Sequence, residues 1–280
     1  MQAEDNRHYY ARSLALLKHD KGWIKPILVL SSALFVPIVG ALGVLGYIME
    51  WARLTAWGFD ASPKQKNVKI GRCIKSGWRA FIAGLGVAVL LFVIDWLIGK
   101  SFESIKAESI GRFISIVIDV LSGTIIFVAS LHAVIYQDFK AGYCFRKIFS
   151  MLKQDFGGLA RIAGLSAVIS LIVTLLVGAI FALVLVNLFT HLLSYFPMLE
   201  YTDTISGLTV YEGFMLVAAL LSLIKGYALA FAALLFLINL GIVFIQIIII
   251  NAVGLWMRQF NVSTWGNSST PLPTKNTVSA

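Results

Sequence analysis

Charge is scarce in this chain of 280 residues. Only 13% are Asp, Glu, Lys or Arg, against about 25% in a soluble globular domain. With 59% apolar residues and a mean hydropathy of +0.85, that shortage excludes a soluble enzyme, a disordered chain and a nucleic-acid-binding domain. Cysteine is nearly absent. Cys73 and Cys144 are too few for a disulfide framework or a metal site by themselves, and both fall in stretches read as cytosolic, where thiols stay free. The four histidines (His8, His19, His132 and His191) lie in separate segments with no metal-ligand spacing. Also missing are a Walker-type loop, a GxGxxG in a strand context, a His-Glu-x-x-His pair and a Gly-x-Ser-x-Gly elbow. The expectation is therefore no enzyme, with no catalytic, cofactor-binding or metal-binding residue.

What the chain has is apolar length. A hydrocarbon core about 30 Å thick needs about 20 apolar residues in a helix. The runs are 27–49, 80–98, 113–136, 159–188 and 214–257. The last exceeds one span, and reads as a hairpin turning near Lys225–Gly226 or one crossing preceded by a partial one. The fold class expected is an all-α, polytopic membrane helical bundle of five or six segments. It divides into a cytosolic amphipathic segment over 1–26, a membrane domain over 27–257 and a disordered polar tail over 258–280. The first 26 residues are polar and no cleavage site follows the first run, so that run is expected to stay in the mature chain.

The net charge of +9 sits beside the membrane segments. Lys and Arg number five in 1–26, seven in 50–79 and four in 137–158, whereas 191–213 has none and three acids. The positive-inside rule puts loops 50–79 and 137–158 in the cytoplasm and loops 99–112 and 191–213 outside, in the plasma membrane. The first run, with Pro37 and Gly40 at its middle, either crosses with a kink or dips in and returns. A full crossing would leave five basic residues outside. A weak repeat bears on this: Leu16–Val36 and Met151–Leu171 match at seven of 21 positions, each carrying Lys-x-Asp-x-Gly into an apolar run. If both copies enter from the cytosol, an even number of crossings separates them, which favours the re-entrant reading.

Two segments read as basic amphipathic interfacial helices. In Lys66–Phe81 the cations Lys66, Lys69, Arg72, Lys75 and Arg79 oppose Ile70, Ile74, Trp78 and Phe81. In Ala141–Phe156 the cations Arg146, Lys147 and Lys153 oppose Phe145, Ile148, Phe149, Leu152 and Phe156. Such faces suit the anionic lipids of the cytoplasmic leaflet, or docking to a cytosolic partner through the same face; a membrane protein partner is a further expectation. Nucleic acid is not expected.

Asp20-Lys21-Gly22-Trp23-Ile24, Val36-Pro37-Ile38-Val39-Gly40, Leu45-Gly46-Tyr47, Ile70-Gly71-Arg72 and Gly77 resemble a prokaryotic family of uncharacterised multi-spanning membrane proteins, catalogued as a domain of unknown function. The resemblance covers roughly residues 15–258. It implies a bacterial or archaeal plasma-membrane protein and brings no established activity. The chain departs from the family's acidic, Trp-containing stretch at Pro63-Lys64-Gln65-Lys66.

Ionisable groups at membrane depth mark candidate sites, because each costs at least about 2.5–3.5 kcal/mol at mid-span. Asp95, Asp119 and Lys225 form the candidate polar set. Asp119 lies six residues past Phe113, about 9 Å deep, and Lys225 about 16 Å beyond Phe214. They would line a cavity or proton pathway, or pair to fix helix packing. Two functions stay open: a non-enzymatic scaffold or accessory subunit of a transport or envelope system, and a small ion-coupled transporter or channel.

Overall fold

The computed structural model describes residues 9–104, 108–193, 210–264 and 272. Lys106, the acids Glu200 and Asp203 of the 191–213 loop and residues 265–271 and 273–280 of the polar tail lie outside the described residues. Among the described residues there are eight α-helices: α1 (Tyr9–Lys18), α2 (Ile24–Ala33), α3 (Val39–Ala56), α4 (Ile70–Ser104), α5 (Glu108–Ile135), α6 (Phe145–Gln154), α7 (Phe156–Leu193) and α8 (Val210–Arg258). Four of them, α4, α5, α7 and α8, contain stretches long and apolar enough to cross a membrane. The protein is a helical membrane bundle.

Two expectations change in detail. Residues 210–258 form one helix of 49 residues, with no turn at Lys225–Gly226. The basic segment 66–81 is not a helix of its own: from Ile70 onward it is the first part of α4. Within the segment 99–112, residues 99–104 belong to α4 and 108–112 to α5.

The first run breaks at its proline. Pro37 offers no amide to the ladder, and Ile38 takes a φ of 63°, a strained value for a β-branched residue. The chain reverses there so tightly that a Cβ on Gly40 would strike the Ala33 carbonyl. Helix α3 then returns alongside α2. Both arms of the hairpin meet one strap, residues 57–69 between α3 and α4. The Tyr47 hydroxyl donates to the Lys64 carbonyl at 2.6 Å, and Gly22 lies against the Gln65 side chain.

Cα packing divides the chain into two units, 1–169 with 242–280, and 170–241. The first holds the core, around Ile48, Met49, Leu131, Leu159, Ile250 and Trp256, all fully buried. Its α1, strap, α5–α6 connection and C-terminal end share one face of the unit. Ser62 donates to the Leu16 carbonyl at 3.1 Å, Arg258 to Asp60 at 2.7 Å, Gln259 to Asp155 at 2.8 Å, and Tyr136 to the Val262 carbonyl at 2.9 Å. Away from this face, α4 and α5 expose Leu90, Phe92, Val93, Trp96, Phe113 and Ile116, as helices solvated by lipid do. The second unit is an antiparallel pair formed by parts of α7 and α8, joined by Tyr227 donating to Asn187 at 2.5 Å and by Phe181 against Phe231.

Candidate functional site

Helix α3 is the most enclosed element, and its sequence explains how a charged pair enters it. Glycines at 46 and 77 let the α3 and α4 backbones touch, since a Cβ on either would fall on the other helix's backbone. One turn further along α3, Glu50 then reaches Ser76, whose hydroxyl donates to Oε1. Gln137 Nε2 donates to the same oxygen at 3.0 Å, and Arg53 Nε donates to Oε2 at 3.0 Å. Arg79 donates to Gln137 Oε1. The Arg53 side chain is 3% exposed and that of Glu50 15%. Gln137 turns inward because it sits at φ 58°, just past the end of α5. A carboxylate engaged by three donors is locked in place, so this cluster ties α3 and α4 to the end of α5.

Asp155 is a second hub. It follows α6 and caps α7 by accepting the Gly158 amide at 2.8 Å. It also accepts Gln259 Nε2 at 2.8 Å, Trp256 Nε1 at 3.1 Å and the Tyr9 hydroxyl at 3.4 Å. Burial pushes its acidity toward the neutral form, but the bonds from Gln259, Gly158, Trp256 and Tyr9 outweigh that and leave its pKa below the ordinary carboxylate value. Burial first, then the Asp155 charge, raises Tyr9 to about 12. Nearby, Asp60 is clasped by Arg258 at 2.7 Å and Arg12 at 3.5 Å.

A third, buried relay joins α3, α8 and α1. Thr55 donates to Asn251 Oδ1 at 2.7 Å, Asn251 donates to Ser13 at 3.1 Å, and Ser13 donates to the Ile248 carbonyl at 2.9 Å. His132 Nδ1 lies 2.7 Å from the Ala141 carbonyl and so carries the proton. Its Nε2 is buried without a partner among the described residues.

The residues singled out by hydropathy sit elsewhere. Asp95 is half-buried on α4, and its Oδ1 is buried without a partner among the described residues. Asp119 is exposed on α5, where it lines an open crevice of about 560 Å³ with Glu103, Arg112 and Ser115. Lys225 is exposed in the second unit. Of the basic residues read as headgroup contacts, Lys66, Lys69, Arg72, Lys75, Arg146 and Lys153 are exposed. Arg79 instead bonds Gln137, and Lys147 lies 5.9 Å above the Tyr136 ring. Sequence reading missed Glu50 and Arg53, counting Arg53 among loop cations. Their i,i+3 spacing at the end of an apolar run was the available signal.

A family model described as protein of unknown function (DUF4013) matches residues 29–182, more than half of the chain and all five residues of the Glu50 cluster. No curated protein and no solved structure matches the sequence.

Proposed function

The chain belongs to this family of proteins of unknown function, and on that premise we propose that it is a non-enzymatic scaffold or accessory subunit of a transport or envelope system in the plasma membrane. One observation carries the reading. The buried charges of the packed face are engaged in bonds within the bundle, with Glu50 held by Arg53 of the same helix, by Ser76 of α4 and by Gln137, rather than aimed at a substrate-sized cavity. Such bonds fix geometry.

The basic face then lies on the cytoplasmic leaflet, with loops 50–79 and 137–158 in the cytoplasm and loops 99–112 and 191–213 outside, as the distribution of Lys and Arg favours. Helix α6 supports contact with anionic lipid: Ile148 and Met151 are buried in the bundle, while Phe145 and Phe149 stay exposed beside Arg146 and Lys153. Aromatic and cationic groups on one exposed surface suit a headgroup boundary. A membrane protein partner would dock on the same packed base.

The crevice beside Asp119 favours a second reading, an ion-coupled transporter or channel. Purified protein in proteoliposomes separates the two. The scaffold reading expects no ion flux above empty vesicles. Flux that Asp119→Asn abolishes would replace it with the transporter.

A further inference from the structure

We propose that the α2–α3 hairpin is a half-bilayer insertion: it enters and leaves a single leaflet, with its lysines on anionic headgroups and the Pro37 turn among the acyl chains. The proposal rests on the membrane reading and extends it to a surface that packing alone leaves uncovered.

Length excludes a crossing by α2. Helix α2 has ten residues and spans about 15 Å, half of a hydrocarbon core of about 30 Å. The chain then turns back, and Gly22 before the hairpin and Tyr47 within α3 both meet the strap at Lys64–Gln65. Entrance and exit are therefore level with each other.

The turn itself is apolar and bare. Val36, Ile38 and Val39 are 54%, 74% and 53% exposed, and Val29 on α2 is 59% exposed. Such a surface in water would be an aggregation site; in lipid it is ordinary. What forbids irregular backbone in hydrocarbon is unsatisfied amides, and here the turn satisfies most of its own. The amides of Leu34, Phe35, Val36, Val39 and Gly40 donate to the carbonyls of Leu30, Ser32, Ala33, Pro37 and Val36. Residue 37, a proline, has no amide to satisfy. The hydroxyls of Ser31 and Ser32 fold back onto the Ile27 and Leu28 carbonyls at 2.7 and 3.0 Å.

The base has the opposite character. Lys18, Lys21, Lys25, Lys64, Lys66 and Lys69 are exposed around it, and Asp20 is the one acid in residues 18–25 and 64–75. Each lysine near an anionic surface adds to the attraction. An apolar tip of half-bilayer reach on a cationic base matches one anionic leaflet. A protein groove would supply the apolar cover but would have no need of the cations.

The test uses single-cysteine full-length chains in a Cys73→Ala, Cys144→Ser background, in sealed vesicles of both orientations. Lys21→Cys and Lys66→Cys should react with a membrane-impermeant maleimide from one shared face, opposite to Lys100→Cys. Ile38→Cys should react from neither face until detergent is added. A fluorophore at Ile38→Cys should be quenched more strongly by a nitroxide deep on the acyl chain than by one at the headgroup. Lys21→Cys and Lys66→Cys reacting from opposite faces would overturn the proposal, as would labelling of Ile38→Cys in intact vesicles. Shielding of Ile38 from both nitroxides would overturn it in favour of a protein covering the tip. Should Lys100→Cys label from the same face as Lys21→Cys, the four-span membrane reading fails with it.

Discussion

Gly46 and Gly77 lie backbone against backbone where α3 crosses α4, and neither position has room for a Cβ. The crossing brings Glu50 within reach of Ser76, so the contact organises charge as well as packing. Gly46→Ala and Gly77→Ala should each lower thermal stability in detergent by about 1–3 kcal/mol, the usual cost of overpacking. Gly123, a helical glycine of α5 where an added Cβ would meet nothing within 4 Å, is the control. Gly123→Ala should be neutral or slightly stabilising. Equal losses at all three sites would contradict the close crossing.

Glu50 and Arg53 should behave as a coupled pair. Glu50→Ala leaves the nearly enclosed Arg53 guanidinium without its carboxylate, a change that costs about 3–5 kcal/mol in buried pairs. Glu50→Leu combined with Arg53→Met should recover much of that loss. A double-mutant cycle on unfolding in detergent reads the coupling, and additive losses would place the pair in a solvated setting.

Asp155 predicts an acid-sensitive base. Its pKa is lowered in the folded chain by the bonds from Gln259, Gly158, Trp256 and Tyr9. Its contribution is therefore complete above the unfolded value of about 4 and is lost as pH falls through the lower folded value. Asp155→Asn should destabilise the protein at neutral pH, by about 1–3 kcal/mol for hydrogen bonds to a charged group. The gap between variant and parent should close on acidification. Unfolding curves at neutral and acidic pH check both statements; a gap that stays constant across them would remove the carboxylate from the explanation.

Cys144 offers a native probe of α6. It is exposed at the start of that helix, beside Phe145. An environment-sensitive fluorophore on Cys144 should shift to the blue in vesicles containing anionic lipid, and less in zwitterionic ones. Identical emission in buffer, detergent and both vesicles would argue against lipid contact at α6.

The sequence was most legible where a single physical scale dominates. Twenty apolar residues in a row cannot be soluble, so four of the long helices could be read from hydropathy alone. Pro37 marked the break in the first run for the same kind of reason, a missing amide. The site was less legible. Asp95, Asp119 and Lys225 stand out because charge is rare in an apolar run, yet the dense polar contacts gather around Glu50 and Asp155, which sit at run ends where charge looks unremarkable. Partners such as Glu50 and Gln137, or Asp155 and Gln259, are 87 and 104 residues apart, and no local pattern connects them.

By itself, then, the sequence determined the solvent of this protein, its helical class and the cationic character of the segments beside the membrane, because these depend on the summed transfer energies of nearby residues. Only the tertiary structure decided that the first run folds back onto the strap at Lys64–Gln65, that α8 runs unbroken through Lys225–Gly226, and which polar groups meet. Those outcomes depend on backbone approach at Gly46 and Gly77 and on bonds between distant segments, which exist only once the helices have packed.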